Sequence, residues 1–292
     1  MTSKEARRIE QDFYEKSNPS DEEIFLYTEA MDFLIAEENK PMDMMRLGGF
    51  YYDLRKFDLA LKYYEMASVY GIDAADECLG YIWYYGRTGE RDYRKAFEHY
   101  SRSMDRGNLV CTYKVADMYK NGYYVEKNYE KYKEIIEELY PKIKTTNKLF
   151  DPLPEIYTRL ARIRTEQKRN KEAIALYLYA RDFLAQRIRY NAFFGNLNIM
   201  KWLIDDLYEL MDFDEDQFGL FDLYYLLKSP HKISFEYEDE IYWVESLEEE
   251  GNMVVRFGEK WYRDRDDFFA KACIDGEKLT ALYFDLDYFE VN

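Results

Sequence analysis

Chemistry in a chain of 292 residues is sought first among its histidines, cysteines and clustered acids. The two histidines are His99, set between Phe97 and Tyr100 in a helical pattern, and His231, which follows Pro230. Neither stands in a spacing that assembles a Ser-His-Asp or Cys-His arrangement, so no catalytic constellation can be written. Asp212, Asp214 and Asp216 alternate like the start of a calcium loop. Such a loop wants glycine at its sixth place and glutamate at its twelfth, where this sequence has Gln217 and Leu223. The run is better suited to capping a helix that begins near Asp214. No metal or cofactor is expected. Cys78, Cys111 and Cys273 are odd in number and form no C-x-x-C, which fits free thiols in a reducing cytoplasm.

Charge is the next chemical resource. The net value is −17, and between Asp205 and Asn292 stand 25 acidic and 8 basic residues, so the whole excess lies in the last third. Phosphate backbones would be repelled there, which argues against nucleic acid as a ligand. Glu248, Glu249 and Glu250, with Asp264, Asp266 and Asp267, form the densest acid; it suits a basic partner, or else a solvated turn and a helix start. Arg159, Arg162, Arg164, Lys168 and Arg169 make a basic stretch that could hold an acidic ligand or pair within the chain.

The elements that must position these residues are written twice between Leu79 and Ile136. A shift of 36 lays Leu79 on Val115, Gly80 on Ala116, Trp83 on Tyr119, Gly86 on Gly122, Tyr93 on Tyr129 and Lys95 on Lys131. A fixed period in this range is the mark of stacked repeats. Leu47, Gly48 and Tyr51, followed by Ala60, Tyr64 and Ala67, give an earlier copy with a shorter connection. Leu160 and Ala161, followed by Ala173, Tyr177 and Ala180, give a fourth. Leu79 and Trp83 share one helix face, as do Ala96 and Tyr100. The small residue beside each large one lets paired helices approach. Tyr132 replaces the alanine of the other copies, so the third hairpin must pack more loosely or end a stack, and Pro141 should stop its helix. A linker is expected from 141 to 154.

Leu79-Gly80-x-x-Trp83-x-x-Gly86, then Asp92-Tyr93-x-Lys95-Ala96-x-x-x-Tyr100 and Gly107, resembles a Sel-like repeat, the 36-residue relative of the tetratricopeptide repeat. The resemblance covers residues 42 to 190, with copies at 42–72, 74–108, 110–140 and 155–190. It implies a mainly α fold, a right-handed α-α superhelix, and a scaffold that holds ligands on the concave face lined by the first helix of each hairpin. First-helix residues that avoid the packing face name Tyr52, Tyr81, Tyr84, Tyr85, Tyr113, Asp117 and Lys120 as a binding surface, with Arg162 from the basic stretch.

Around the repeats, helices are expected over residues 4 to 16 and from a Ser20–Glu23 capping box to Glu38. Pro41 should open a further helix. Two more are expected from Asn196 to Met211 and from Asp214 to Leu227. After Pro230 the period becomes two. Ile233–Tyr237, Ile241–Leu247 and Met253–Phe257 read as three antiparallel strands, followed by short helices after Asp264 and over Lys278–Tyr283. The expected division is therefore a helical solenoid over 1–229 and a small acidic α+β module over 230–292. No stretch is long and apolar enough to span a membrane, and the first residues lack a leader's apolar core. Three functions follow from different classes: a cytoplasmic, non-catalytic adaptor for a peptide or protein; an acidic module that neutralises a basic protein, as an inhibitor would; and an enzyme, for which no residues speak.

Overall fold

A computed structural model of the chain describes residues 1–145, 148, 151–190, 194–215 and 218–292. Asp216 and Gln217, part of the rejected calcium pattern, lie outside the described residues, as does part of the expected linker. The chain forms two compact units, Met1–Ile135 and Ile136–Asn292.

The first unit is a series of helical hairpins. Helices α1 (Ser3–Tyr14) and α2 (Asp21–Glu38) each begin with a capping box, Thr2 with Glu5 and Ser20 with Glu23, which satisfies the first backbone donors. Helix α3 (Pro41–Asp53) opens on its proline and pairs with α4 (Phe57–Ser68). The second copy is α5 (Asp73–Tyr85) with α6 (Tyr93–Asp105), and the third α7 (Leu109–Asn121) with α8 (Tyr129–Ile143). The boundary between the compact units falls inside α8, the helix in which Tyr132 replaces the alanine.

The repeat positions are buried in all four copies and make the same contact in the first two. Leu47, Leu79, Val115 and Leu160 are all fully buried or nearly so. Beside Gly48 lies the ring of Tyr64, 2.8 Å from where a Cβ would stand, and beside Gly80 lies the ring of Tyr100, at 2.5 Å. Glycine is required at both places because the ring rests directly on the partner helix backbone. Gly86 and Gly122 end α5 and α7 in the left-handed region, with φ of 63° and 71°. Pro141 does not end its helix, which continues to Ile143: a proline in the last turn forfeits one backbone bond and leaves the earlier ones intact.

In the second unit, α9 (Leu153–Glu166) and α10 (Asn170–Tyr190) form the fourth hairpin, followed by α11 (Phe194–Tyr208). The helix expected over 214–227 is only the single turn α12 (Leu223–Leu226). Asp222 does not cap it with its side chain; its carboxylate accepts instead from Tyr208 Oη at 2.7 Å and from the Gly219 N–H at 2.9 Å, holding the preceding turn open.

The three anticipated strands are present as β1 (His231–Tyr237), β2 (Glu240–Glu249) and β3 (Asn252–Phe257), with β4 (Lys260–Tyr262) and β7 (Asp287–Val291) added at the edges. The result is a five-stranded antiparallel sheet in the order β4-β3-β2-β1-β7. Asp264 caps α13 (Arg265–Lys271), whose Phe268 packs on Phe257 and Tyr262 at ring separations of 5.9 and 5.4 Å. Residues 279–283 are turns rather than a helix, because β5 (Cys273–Ile274) and β6 (Glu277–Lys278) form a small ladder that commits the chain to a hairpin just before them.

Candidate functional site

The exposed side of α3, α5 and α7 carries a continuous aromatic face. Tyr52 of α3 meets Tyr81 of α5 edge-on at 6.3 Å; Tyr81 lies 4.4 Å from Tyr85, and Tyr85 5.0 Å from Tyr84. Tyr84 continues the face to Tyr93 and Tyr123, which stack on each other at 4.4 Å. Burial raises the phenol pKa of Tyr52, Tyr81 and Tyr84, so each is a neutral hydrogen-bonding ring throughout the physiological range.

Local backbone chemistry sets the edge of this face. The left-handed turn at Gly86 sends the Arg87 N–H back to the Ile82 carbonyl at 3.0 Å, as in a Schellman cap. The Arg87 side chain is thereby folded over the helix it has just left. Its guanidinium carbon sits 5.4 Å from the Tyr81 ring centre and 5.6 Å from that of Tyr85, and its Nη2 donates to Tyr81 Oη at 3.1 Å. Tyr123, 36 residues later, is turned back by Gly122 in the same way. From α7, Lys114 Nζ approaches the same rings, 5.6 Å from Tyr84 and 5.4 Å from Tyr85. Two cations therefore share the Tyr85 ring, at distances where cation–π attraction operates.

Four of the residues named from sequence, Tyr52, Tyr81, Tyr84 and Tyr85, are brought together here. Tyr113 is not on the surface: it is 7% exposed, so it underlies the cluster. Asp117 acts on Tyr84 electrostatically, and Lys120 Nζ lies 5.1 Å from the Tyr132 ring centre, farther along α7. Arg162 belongs to the second unit and is not in this cluster. Its Nε donates to Asp206 of α11 at 2.5 Å and its guanidinium lies on Trp202, a contact between helices. Arg164 likewise pairs with Glu137 and Arg169 with Glu172, so the basic stretch finds its carboxylates on neighbouring helices.

Arg87 and Lys114 escaped the sequence reading. A signal for Arg87 existed, because a residue directly after a helix-ending glycine is folded back onto that helix. Lys114 had none, since its target rings lie on a different hairpin. Among the acids of the sheet module, Glu248, Glu249 and Glu250 are exposed at the β2–β3 hairpin tip. The Asp264–Asp267 group is committed internally: Asp264 caps α13, Asp266 accepts from Tyr224 at 2.7 Å and Lys201 at 2.9 Å, and Asp267 pairs with Lys271. Among the described residues no group of three or more His, Cys, Asp or Glu side chains converges as a metal site would need.

No protein-family model and no curated protein matches the sequence. The resemblance to Sel-like repeats extends to solved structures. The chain is similar to a Sel1 repeat protein from Oxalobacter formigenes, at 24% identity over 37% of this chain and 84% of that one, with a TM-score of 0.34. It is also similar to c5321, a protective antigen of uropathogenic Escherichia coli strains displaying an SLR fold, at 17% identity and a TM-score of 0.46; that match covers 65% of this chain and 46% of the other. No helix among the described residues is long and apolar enough to cross a membrane.

Proposed function

We propose that the protein is a non-catalytic interaction scaffold whose first unit holds a peptide or protein segment on the face formed by Tyr52, Tyr81, Tyr84 and Tyr85. The observation that carries this reading is the row of half-buried tyrosine rings running from α3 to α5, with Arg87 and Lys114 laid over it. Such rings give large rigid contact areas with little entropy to lose, and tyrosine and arginine dominate binding hot spots. The face lies over the buried repeat residue Tyr100, whose ring centre is 6.3 Å from that of Tyr84. Replacing Tyr81 and Tyr84 by alanine in the full chain is expected to reduce capture of partner proteins from the native host at least tenfold. Helical circular dichroism recorded on the same sample must stay unchanged. Undiminished capture by that variant would move the binding surface elsewhere.

A further inference from the structure

The second hairpin is unusual for what its donors lack. With 58 acidic residues against 41 basic ones, most of the described arginines are paired with carboxylates. Among the described residues, no carboxylate oxygen comes within 4 Å of either Arg87 or Lys114. Arg87 Nε is buried without any hydrogen-bond partner. Beneath the same rings, the hydroxyl of Tyr100 is also buried without a partner. Its side chain is 1% exposed, its ring centre lies 6.3 Å from that of Tyr84, and the phenols of Tyr113, Tyr85 and Tyr84 surround it. Buried polar groups are nearly always satisfied, so donors left over at one place point to an acceptor that arrives from outside. Of these donors Arg87 is positively charged, and Lys114 Nζ beside it donates to Tyr85 Oη at 3.4 Å; a guanidinium recognises a carboxylate through paired N–H bonds.

We infer that Arg87 and Lys114 are the receptor for a carboxylate on the bound segment, so that the tyrosine face selects acidic peptides. This rests on the scaffold reading above and adds the chemistry of the partner. A side-chain carboxylate would accept from the Arg87 guanidinium and from Lys114 across the Tyr85 ring, while the remaining rings take the segment's apolar or aromatic neighbours. Nucleic acid offers oxyanions too, and an oligonucleotide arm of the test separates it from a short acidic segment.

The test uses the full chain on an immobilised array of random decapeptides, each bearing Asp or Glu residues printed beside its Asn or Gln counterpart, with single-stranded oligonucleotides as a further arm. Bound peptides are expected to be acidic and to lose at least tenfold in affinity when their carboxylates become amides. The R87M and K114M variants should lose the discrimination between acidic peptides and their amide counterparts, and Lys114→Arg should restore part of it. Tyr-dependent binding with no preference for carboxylates would overturn this inference and leave the scaffold reading intact. Binding of no peptide, or equal binding by Y81A/Y84A, would overturn both. Oligonucleotide binding as tight as that of the acidic peptides would overturn the choice of a peptide carboxylate.

Discussion

Single residues decide how closely the hairpins approach. Tyr100 can lie flat on α5 only because residue 80 has no side chain, and the same holds for Tyr64 on Gly48. Gly80→Ala would place a methyl group 2.5 Å from two ring carbons of a fully buried tyrosine, which has little freedom to retreat. Overpacking of this kind costs about 1–3 kcal/mol. Gly48→Ala meets its ring at 2.8 Å and should cost less. Urea denaturation of both variants gives the comparison, and a neutral or stabilising Gly80→Ala would contradict the packing described. Because Tyr100 underlies the tyrosine face, Gly80→Ala should also disturb Tyr84, whereas Gly48→Ala should not.

Between elements, the decisive contacts are charged. Asp76 of α5 is fully buried, yet it accepts from Ser68 at the end of α4 at 2.9 Å, from His99 of α6 at 2.8 Å and from Arg106 just beyond α6 at 2.8 Å. Burial pushes its pKa up, but the hydrogen bonds from His99, Arg106 and Ser68 outweigh that and hold it below the usual carboxylate range. A carboxylate depressed in the folded state stabilises the fold fully above its unfolded pKa, near 4, and loses that contribution as pH falls through the folded value. Asp76→Ala should therefore cost about 1.5–3 kcal/mol near neutrality, the scale of hydrogen bonds to a charged group. The gap to the parent should close as pH falls below the unfolded value and through the lower folded one, which thermal melts across the acid limb would show; a constant gap would mean that charge is not the cause.

Short-range signals made much of this architecture legible. Ser20 with Glu23, Pro41, and the Gly80–Tyr100 spacing act through neighbours within a turn or a hairpin, and each gave its element correctly. The strand β7 was not legible because it pairs with β1 across tens of residues, and the turns of 279–283 were not because they follow from the β5–β6 hairpin just before them rather than from any periodicity. For the site, four tyrosines could be read from helix periodicity, while Tyr113 turned inward and Lys114 outward, a distinction made by the neighbouring hairpin.

At the scale of the whole molecule, the two compact units set what can be removed. The sheet shares its unit with α9–α12, and several contacts join them. Arg265 of α13 holds both oxygens of Asp205 at 3.0 and 2.9 Å and donates to the Tyr224 carbonyl at 2.6 Å. Its guanidinium also lies 3.8 Å from the Tyr224 ring centre. Deleting residues 230–292 would strip Asp205 and Tyr224 of these partners and expose apolar surface on α11 and α12. Such a chain is expected to lose amide-exchange protection across α11 while α3–α6 keep theirs. Equal protection in α11 would show that the helices need no sheet.

Cys111 is fully enclosed on α7, and burial pushes its thiol up to about 12, whereas Cys273 is only half-covered. A maleimide added to native protein should consume Cys273 quickly and reach Cys111 only in molecules whose second and third hairpins have parted. The sulfur thus times how often the stack breathes, and an occupied tyrosine face would slow that clock without touching it.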